Sequence, residues 1–125
     1  MTVTTQSARL LVVMAHPDDA EIFIWGSLTA WHNAGAQIQL VVATSGEGGV
    51  RQGRDIPNLA QHREKEASNA AATLDIFPHF LRLPDGGLSD EPHLTHALKE
   101  RIILCLRSPT SGSHPPRLSH HVWRR

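Results

Sequence analysis

Four side chains that can bind a cation or move a proton lie within six residues near the start of the chain. They are His16, Asp18, Asp19 and Glu21, and they directly follow an apolar run at residues 9–15. An imidazole and a carboxylate placed together can bind a borderline cation such as Zn²⁺. A second carboxylate beside them can act as a base toward water. The same residues also suit a structural role, in which the aspartates cap a helix, Glu21 places a favourable charge in its first turn and His16 packs.

The order of the predicted elements favours the chemical role. Apolar runs rich in branched residues predict three strands, and helical spacing predicts a helix after each of them. The strands are expected at 9–15, 37–44 and 77–83, and the helices at 20–34, 58–74 and about 89–106. In the first helix, apolar residues recur at helical spacing at Ile24, Leu28 and Trp31. Gly35 is expected to end this helix, Asn58 to cap the second and Ser89 or Asp90 to cap the third. This βαβαβα order predicts a parallel sheet with helices packed against it.

Three loops are expected to meet at one edge of that sheet. They are residues 16–21, 45–54 and 84–88, each of which follows a predicted strand. Ligands of open parallel sheets bind at the carboxyl ends of the strands, so this edge is the expected site. The second loop is rich in glycine but contains neither of the standard phosphate-binding glycine motifs, and we interpret it as a wall of the cleft.

The composition is that of one globular domain. The chain has 125 residues, of which 40% are hydrophobic and 19% charged, and its formal net charge is zero. A neutral chain has no general attraction to nucleic acid or an anionic membrane. The single cysteine, Cys105, excludes an intrachain disulfide, and no apolar run approaches the length of a membrane span. The polar first nine residues contain no secretory core, which predicts a cytoplasmic protein.

The charge pattern changes abruptly near residue 107. Residues 1–106 contain all twelve acidic and eight of the basic residues, whereas residues 107–125 contain four arginines and no acid. That last segment is also rich in proline and serine and has too few large apolar residues to offset the entropy of ordering. The sequence therefore predicts a flexible N-terminus at 1–8, a domain at 9–106 and a disordered tail at 107–125.

The motif AHPDDAE at residues 15–21 resembles the signature of the LmbE-like family, also called the PIG-L zinc deacetylases. The resemblance continues in register through four further motifs over about residues 9–107. These are Gly26 with Leu28, TSGEG at 44–48, Arg63-x-x-Glu66-x-x-x-Ala70-Ala71, and LPDGGL at 83–88.

The resemblance implies a Rossmann-like three-layer α/β/α fold and one zinc ion, used to hydrolyse an N-acyl group. The substrate of such proteins is most often the acetamide of an N-acetylglucosamine derivative, so the expected partner is a small amino sugar. By position, His16 and Asp19 are implied as two of three zinc ligands. Asp18 is implied as the residue that deprotonates the zinc-bound water and later protonates the leaving amine. Arg63 and Asp85 match positions near the sugar.

The third zinc ligand has no counterpart in the sequence. A catalytic zinc site needs three protein ligands besides water, and the family supplies the third from a His-x-x-His motif after a fourth strand. Here the third predicted helix is followed by RSPTS at 107–111, with neither an apolar strand nor that motif after it. His93-x-x-His96 has the spacing but opens the third helix, and we interpret it as solvated. The pattern is typical of a truncation or a reading-frame slip near residue 107.

Two functions from different classes stay open. The chain is a zinc-dependent deacetylase by resemblance, or an inactive remnant of one that acts at most as a binding or structural domain. The missing ligand predicts weak zinc binding, and a three-stranded sheet leaves an edge that favours a homo-oligomer. A nucleotide-binding domain is the least favoured interpretation.

Overall fold

The computed structural model describes residues 8–48, 57–88 and 92–107. Its three strands form one parallel sheet in the order of the sequence, and its helices lie between and after them. The strands are β1 Arg9–Met14, β2 Gln37–Val42 and β3 His79–Phe80. The helices are α1 Trp25–Asn33, which continues a short π-helix Ala20–Ile24, α2 Leu59–Ala72 and α3 Pro92–Arg107. The predicted α/β class and element order are confirmed.

One face of the sheet carries the main core. Val42 is paired with Phe80 across β2 and β3, so both side chains point to the same face, together with Leu40. Helices α1 and α2 cover this face, where Leu28 of α1 is fully buried, as its helical spacing predicted. The buried cluster comprises Ala20, Leu28, Leu40, Val42, Ala71, Leu74 and Ile76. The buried face of the first helix is narrower than predicted, because Trp31 is 40% exposed.

Helix α3 lies over the opposite face. Val41 and His79 are paired and point away from the main core, and Arg101 of α3 donates a hydrogen bond to His79 Nε2. Arg9 at the start of β1 donates to the carbonyl oxygens of Cys105 and Leu106 at the end of α3. The molecule therefore has three layers, and α3 returns the chain across the sheet to the amino end of β1.

Strand β3 is shorter than the predicted segment 77–83. Pro78 has no backbone N–H to donate, and Arg82 adopts a left-handed φ of 55°, which interrupts the extended backbone. Pairing nevertheless resumes beyond the strand, since the Leu83 N–H donates to the Ala43 carbonyl oxygen at 2.9 Å. The segment therefore stays beside β2, and the residues after it lie at the expected edge of the sheet.

Helix α2 begins after Asn58, which occupies the predicted N-cap position but caps the helix through its backbone and not through its side chain. Asn58 has a left-handed φ of 59° and its side chain makes no capping hydrogen bond. Its carbonyl oxygen accepts the first bond of the helix, from the His62 N–H at 3.1 Å.

Several predictions lie outside the described residues. The capping residue of the third helix, Ser89 or Asp90, is one of them, as are most of the glycine-rich loop and the tail after Arg107, the last residue of α3. Among the helices of the described ranges, none is both long and apolar enough to cross a bilayer.

His79 is expected to make the stability of the fold depend on pH below neutrality. Burial, followed by the nearby guanidinium groups of Arg101 and Arg82, lowers the pKa of His79 to about 4. An unfolded chain has a histidine pKa near 6.5, so between about pH 6.5 and 4 the unfolded state binds more protons. The free energy of unfolding should therefore fall as the pH drops through this window.

A His79→Gln variant isolates that contribution. The difference in unfolding free energy between pH 7 and 4.5, measured with urea, should be about 1–2 kcal/mol smaller in the variant than in the parent chain. This free-energy difference is well below what a pKa shift of this size would contribute in a fully buried site, because the ring is only half-buried. Equal pH dependence in the two chains would show that His79 titrates normally in the folded state.

Candidate functional site

The sheet ends in a compact edge where the three loops meet. The hydrogen-bond ladder runs past β1 and β2, with the Thr44 N–H donating to the Ala15 carbonyl oxygen at 3.0 Å. The fully buried Thr44 side chain donates to the same oxygen at 2.9 Å, which fixes the two loops to each other. The register of β1 and β2 therefore continues to His16 and Thr44, which lie two residues beyond the ends of the strands.

His16 lies between two of the carboxylates that the sequence singled out. Its Nε2 is 2.9 Å from Asp85 Oδ1, and its Nδ1 is 3.5 Å from Asp19 Oδ2. The His16 backbone N–H donates to the same Asp19 oxygen at 3.0 Å. Burial opposes protonation of the ring, but the hydrogen bond and charge of Asp85 and the charge of Asp19 outweigh it. The pKa of His16 is raised as a result.

Asp85 ties the three loops together. Besides contacting His16, its Oδ2 accepts the Gly48 N–H at 3.0 Å, and its own N–H donates to Glu47 Oε1 at 3.0 Å. Its side chain is 13% exposed. A Cβ on Gly48 would lie 2.8 Å from Asp85 Oδ2, so a side chain there would displace the carboxylate. The carboxylate that was expected near a substrate sugar is thus occupied by contacts within the protein.

A second polar cluster beside this edge was not predicted from the sequence. Glu64 on α2 accepts hydrogen bonds from the Ser45 hydroxyl and from Arg82 Nε and Nη2, the last two at 3.0 and 3.1 Å. Burial raises the pKa of Glu64, but these hydrogen bonds outweigh it and the pKa is lowered. The cluster anchors α2 to the loops after β2 and β3. Ser45, Glu64 and Arg82 are far apart in sequence and no single motif contains all three, so the cluster could not be predicted from short motifs.

Asp18, Glu21 and Arg63 line a cavity of about 200 Å³ beneath α2, together with Pro17, Glu66, Ala67 and Ala70. The structure thus places the expected proton-transfer residue and one expected sugar-contact residue on the same cavity. Burial raises the pKa of Glu21, and the negative charges of Asp18 and Asp19 raise it further.

The donor types around His16 suit zinc, but their number does not. His16 and Asp19 contribute one imidazole and one carboxylate, which are ordinary zinc ligands. Within 8–48, 57–88 and 92–107, no group of three histidine, cysteine or carboxylate side chains could hold a metal ion. The two candidate ligands therefore need a third from outside these ranges.

Gly46 lies close to Arg63 and Pro17 beside this site. Replacing it with alanine is expected to destabilise the fold by about 2 kcal/mol. Its φ is +70°, and an added Cβ would lie 2.9 Å from Arg63 Cδ and 3.2 Å from Pro17 Cδ. The left-handed conformation alone costs alanine about 1 kcal/mol or more, and the contacts add to that. Urea unfolding measures the change.

Two other glycines separate these contributions. Gly35 has a φ of +85° and open space around it, so Gly35→Ala should show the conformational cost alone. Gly26 lies within α1 with nothing nearby, so Gly26→Ala should be neutral or slightly stabilising. If Gly46→Ala costs no more than Gly35→Ala, the contacts with Arg63 and Pro17 are unimportant.

Comparison with known proteins decides the family. The family model described as "PIG-L: GlcNAc-PI de-N-acetylase" matches residues 11–111, most of the chain. The chain belongs to the PIG-L family. The resemblance seen in the sequence motifs is thereby confirmed.

A curated PIG-L relative from Kineococcus radiotolerans is 37% identical over 87 residues, which cover 65% of this chain and 24% of the relative. It is named 1D-myo-inositol 2-acetamido-2-deoxy-alpha-D-glucopyranoside deacetylase. The matched part of this PIG-L chain thus spans about a quarter of that enzyme's length.

Two solved structures share the fold. The N,N'-diacetylchitobiose deacetylase of Pyrococcus horikoshii, complexed with its inhibitor MPG, superposes with a TM-score of 0.67 at 26% identity. The match covers 77% of this chain and 36% of that enzyme. GalB, the 4-carboxy-2-hydroxymuconate hydratase of Pseudomonas putida KT2440, superposes with a TM-score of 0.66 at 23% identity, covering 75% of this chain and 42% of that one. The second likeness shows the fold alone, because one fold supports different chemistries.

Proposed function

We propose that this PIG-L chain carries the catalytic edge of a zinc-dependent deacetylase that hydrolyses the N-acetyl group of an N-acetylglucosamine-type substrate. The proposal rests on the grouping of site residues beyond the carboxyl end of β1. His16 and Asp19 lie together there, and Asp18 opens onto the adjacent cavity. The relatives named as deacetylases support the amino-sugar substrate.

The residues of this chain have distinct roles in the proposal. Asp18 accepts a proton from the attacking water and later donates it to the departing amine, which is a poor leaving group unless protonated. His16 and Asp19 supply two zinc ligands, and Asp85 holds the His16 ring in place through Nε2. Zinc, when bound, would supply a Lewis acid for the amide carbonyl. The third ligand must come from residues outside the described ranges.

The experiment is an assay of amine release from N-acetylglucosamine and from its α-linked myo-inositol conjugate, with zinc supplied in excess. Release that stops on chelation and resumes with zinc supports the proposal. A chain that melts cooperatively but releases no amine from either substrate would contradict the proposal and favour the alternative, a catalytically inactive domain. The predicted cytoplasmic location and self-association stay predictions.

Zinc is expected to bind this chain weakly. Because the described residues supply two ligands instead of three, well under one zinc per chain should remain after gel filtration in metal-free buffer. Metal content by mass spectrometry checks this, with His16→Ala as the reference for adventitious binding. One tightly held zinc per chain that disappears in His16→Ala would contradict the prediction and show that a third ligand completes the site.

A further inference from the structure

Helix α3 covers its face of the sheet with little apolar burial. Of its residues only Cys105 is buried, whereas Ile102, Ile103 and Leu106 are all more than 40% exposed. The main core lies on the other face, under α1 and α2. A helix that buries so little apolar surface depends on its polar contacts, and it can open locally at a lower free-energy cost than the core.

Polar contacts from two arginines fasten α3 to the sheet. Arg101 lies four residues before the buried Cys105, on the same side of the helix, and donates a hydrogen bond to His79 Nε2 on β3. Arg9 donates to the carbonyl oxygens of Cys105 and Leu106. The contact of Arg101 has a partner that can titrate in mild acid, whereas the carbonyl oxygens bound by Arg9 do not titrate.

The charges that act on the His79 ring are positive. They come from Arg101 on α3 and from Arg82, which follows β3. The residue paired with His79 on β2 is the apolar Val41. Burial and these two charges lower the pKa of His79 to about 4, so at neutral pH the ring is uncharged and can accept the hydrogen bond from Arg101.

The acidic side chains of the neighbouring elements act on the two arginines. Glu64 on α2 accepts hydrogen bonds from Arg82, and the charge of Glu100 on α3 acts on Arg101. Neither carboxylate is among the groups that shift the titration of His79. A proton on His79 Nε2 would remove the acceptor for Arg101 and place a further positive charge beside two guanidinium groups.

We propose that the hydrogen bond between Arg101 and His79 is an acid-sensitive latch: proton uptake by His79 releases α3 from the sheet, while the core under α1 and α2 stays folded. Release separates the ring from Arg101 and opens it to water, so the released form binds a proton at higher pH than the latched form. Between about pH 6.5 and 4 the released form therefore carries more protons, and its population rises as the pH falls. This inference does not depend on the proposed deacetylase function.

The single cysteine of the chain can report the release. Cys105 is 8% exposed while α3 lies on the sheet, and its thiol becomes accessible when the helix leaves. Its rate of reaction with dithiodipyridine, a disulfide that reacts with thiols even in mild acid, is measured between pH 7 and 5. Each rate is divided by the rate for the urea-unfolded chain at the same pH, which removes the pH dependence of the thiol itself.

In the parent chain this rate ratio should rise at least about fivefold between pH 7 and 5. A change of the His79 pKa from 6.5 to about 4 sets an upper limit of roughly 20-fold over this range. The expected rise is smaller than this limit, because the half-buried ring is already partly screened by solvent.

His79→Gln is the deciding variant. Glutamine keeps an acceptor for Arg101 but takes up no proton, so the ratio should change less than about twofold over the same range. His96→Gln is the matched control, because it makes the same substitution at an exposed histidine of α3 and should keep the pH dependence of the parent. If His79→Gln does not fold, Arg101→Met removes the donor instead. Its ratio should already be higher than that of the parent at pH 7 and should depend less on pH.

Amide hydrogen exchange at pH 5 separates local release from unfolding of the whole chain. The amides of β2 should stay at least about tenfold better protected than those of α3. Equal protection of the two elements would overturn the local release. A ratio for Cys105 that is constant with pH in the parent, or that rises as steeply in His79→Gln, would overturn the role of His79.

Discussion

An Asp18→Asn variant is expected to release amine at least about a hundredfold more slowly than the parent chain supplied with zinc. Asparagine keeps the shape of the side chain but cannot accept and return a proton, and a positioned general base commonly contributes a factor of 10² to 10⁴. Asp18 is exposed, so the substitution should change the free energy of unfolding by less than about 0.5 kcal/mol. Rates measured at saturating zinc and substrate check the prediction.

Asp75→Asn is the matched control for that experiment. Asp75 is also an exposed aspartate, but it precedes β3 and so lies at the opposite end of the sheet. Its left-handed φ of 54° is one that asparagine tolerates well. The control should retain full activity. An Asp18→Asn variant that matches it in rate would assign the proton transfer to another group.

Asp85→Ala is expected to destabilise the folded chain by about 3 kcal/mol. The substitution removes the acceptor for the Gly48 N–H and the partner of His16 Nε2, and both contacts are charge-assisted. Hydrogen bonds to charged groups contribute about 1.5–3 kcal/mol each, and water can replace part of the loss because Gly48 is exposed and the His16 side chain is 44% exposed. Urea unfolding at neutral pH measures the loss, and amide hydrogen exchange of Gly48 should rise with it.

Glu100→Ala is the reference for an ordinary ion pair. Glu100 contacts His96 at 3.2 Å on the surface of α3, where both side chains are more than 60% exposed. Such pairs contribute 0–1 kcal/mol, so the control should be nearly neutral. If Asp85→Ala costs no more than Glu100→Ala, the three loops do not depend on this carboxylate.

The parts of the fold that could be predicted are those determined locally. The strand at 9–15 is a continuous apolar run, and the spacing of Ile24 and Leu28 indicated the first helix. The convergence of the loops follows from the parallel order of the strands, and the contact of His16 with Asp85 agrees with it. These features depend on the local pattern of apolar residues or on general rules for parallel sheets.

The unpredicted parts depend on contacts between distant residues. His16 and Asp85 are 69 residues apart, and nothing in either motif shows that Asp85 contacts the histidine and not only a substrate. The left-handed backbone conformation of Arg82 could not be predicted either, because arginine does not favour it. The contact between Arg82 and Glu64 depends on the packing of α2 beside the segment after β3.

The end of helix α3 determines where a further strand could join this sheet. Arg9 binds the last carbonyls of α3, so a polypeptide continuing from α3 begins at the amino end of β1. No strand of the described ranges pairs with the outer edge of β1, and exposed edges of this kind accept an added strand. A strand added parallel to β1 would finish beside His16. A strand in that position would bring any ligand that follows it to the same edge of the sheet as His16 and Asp19.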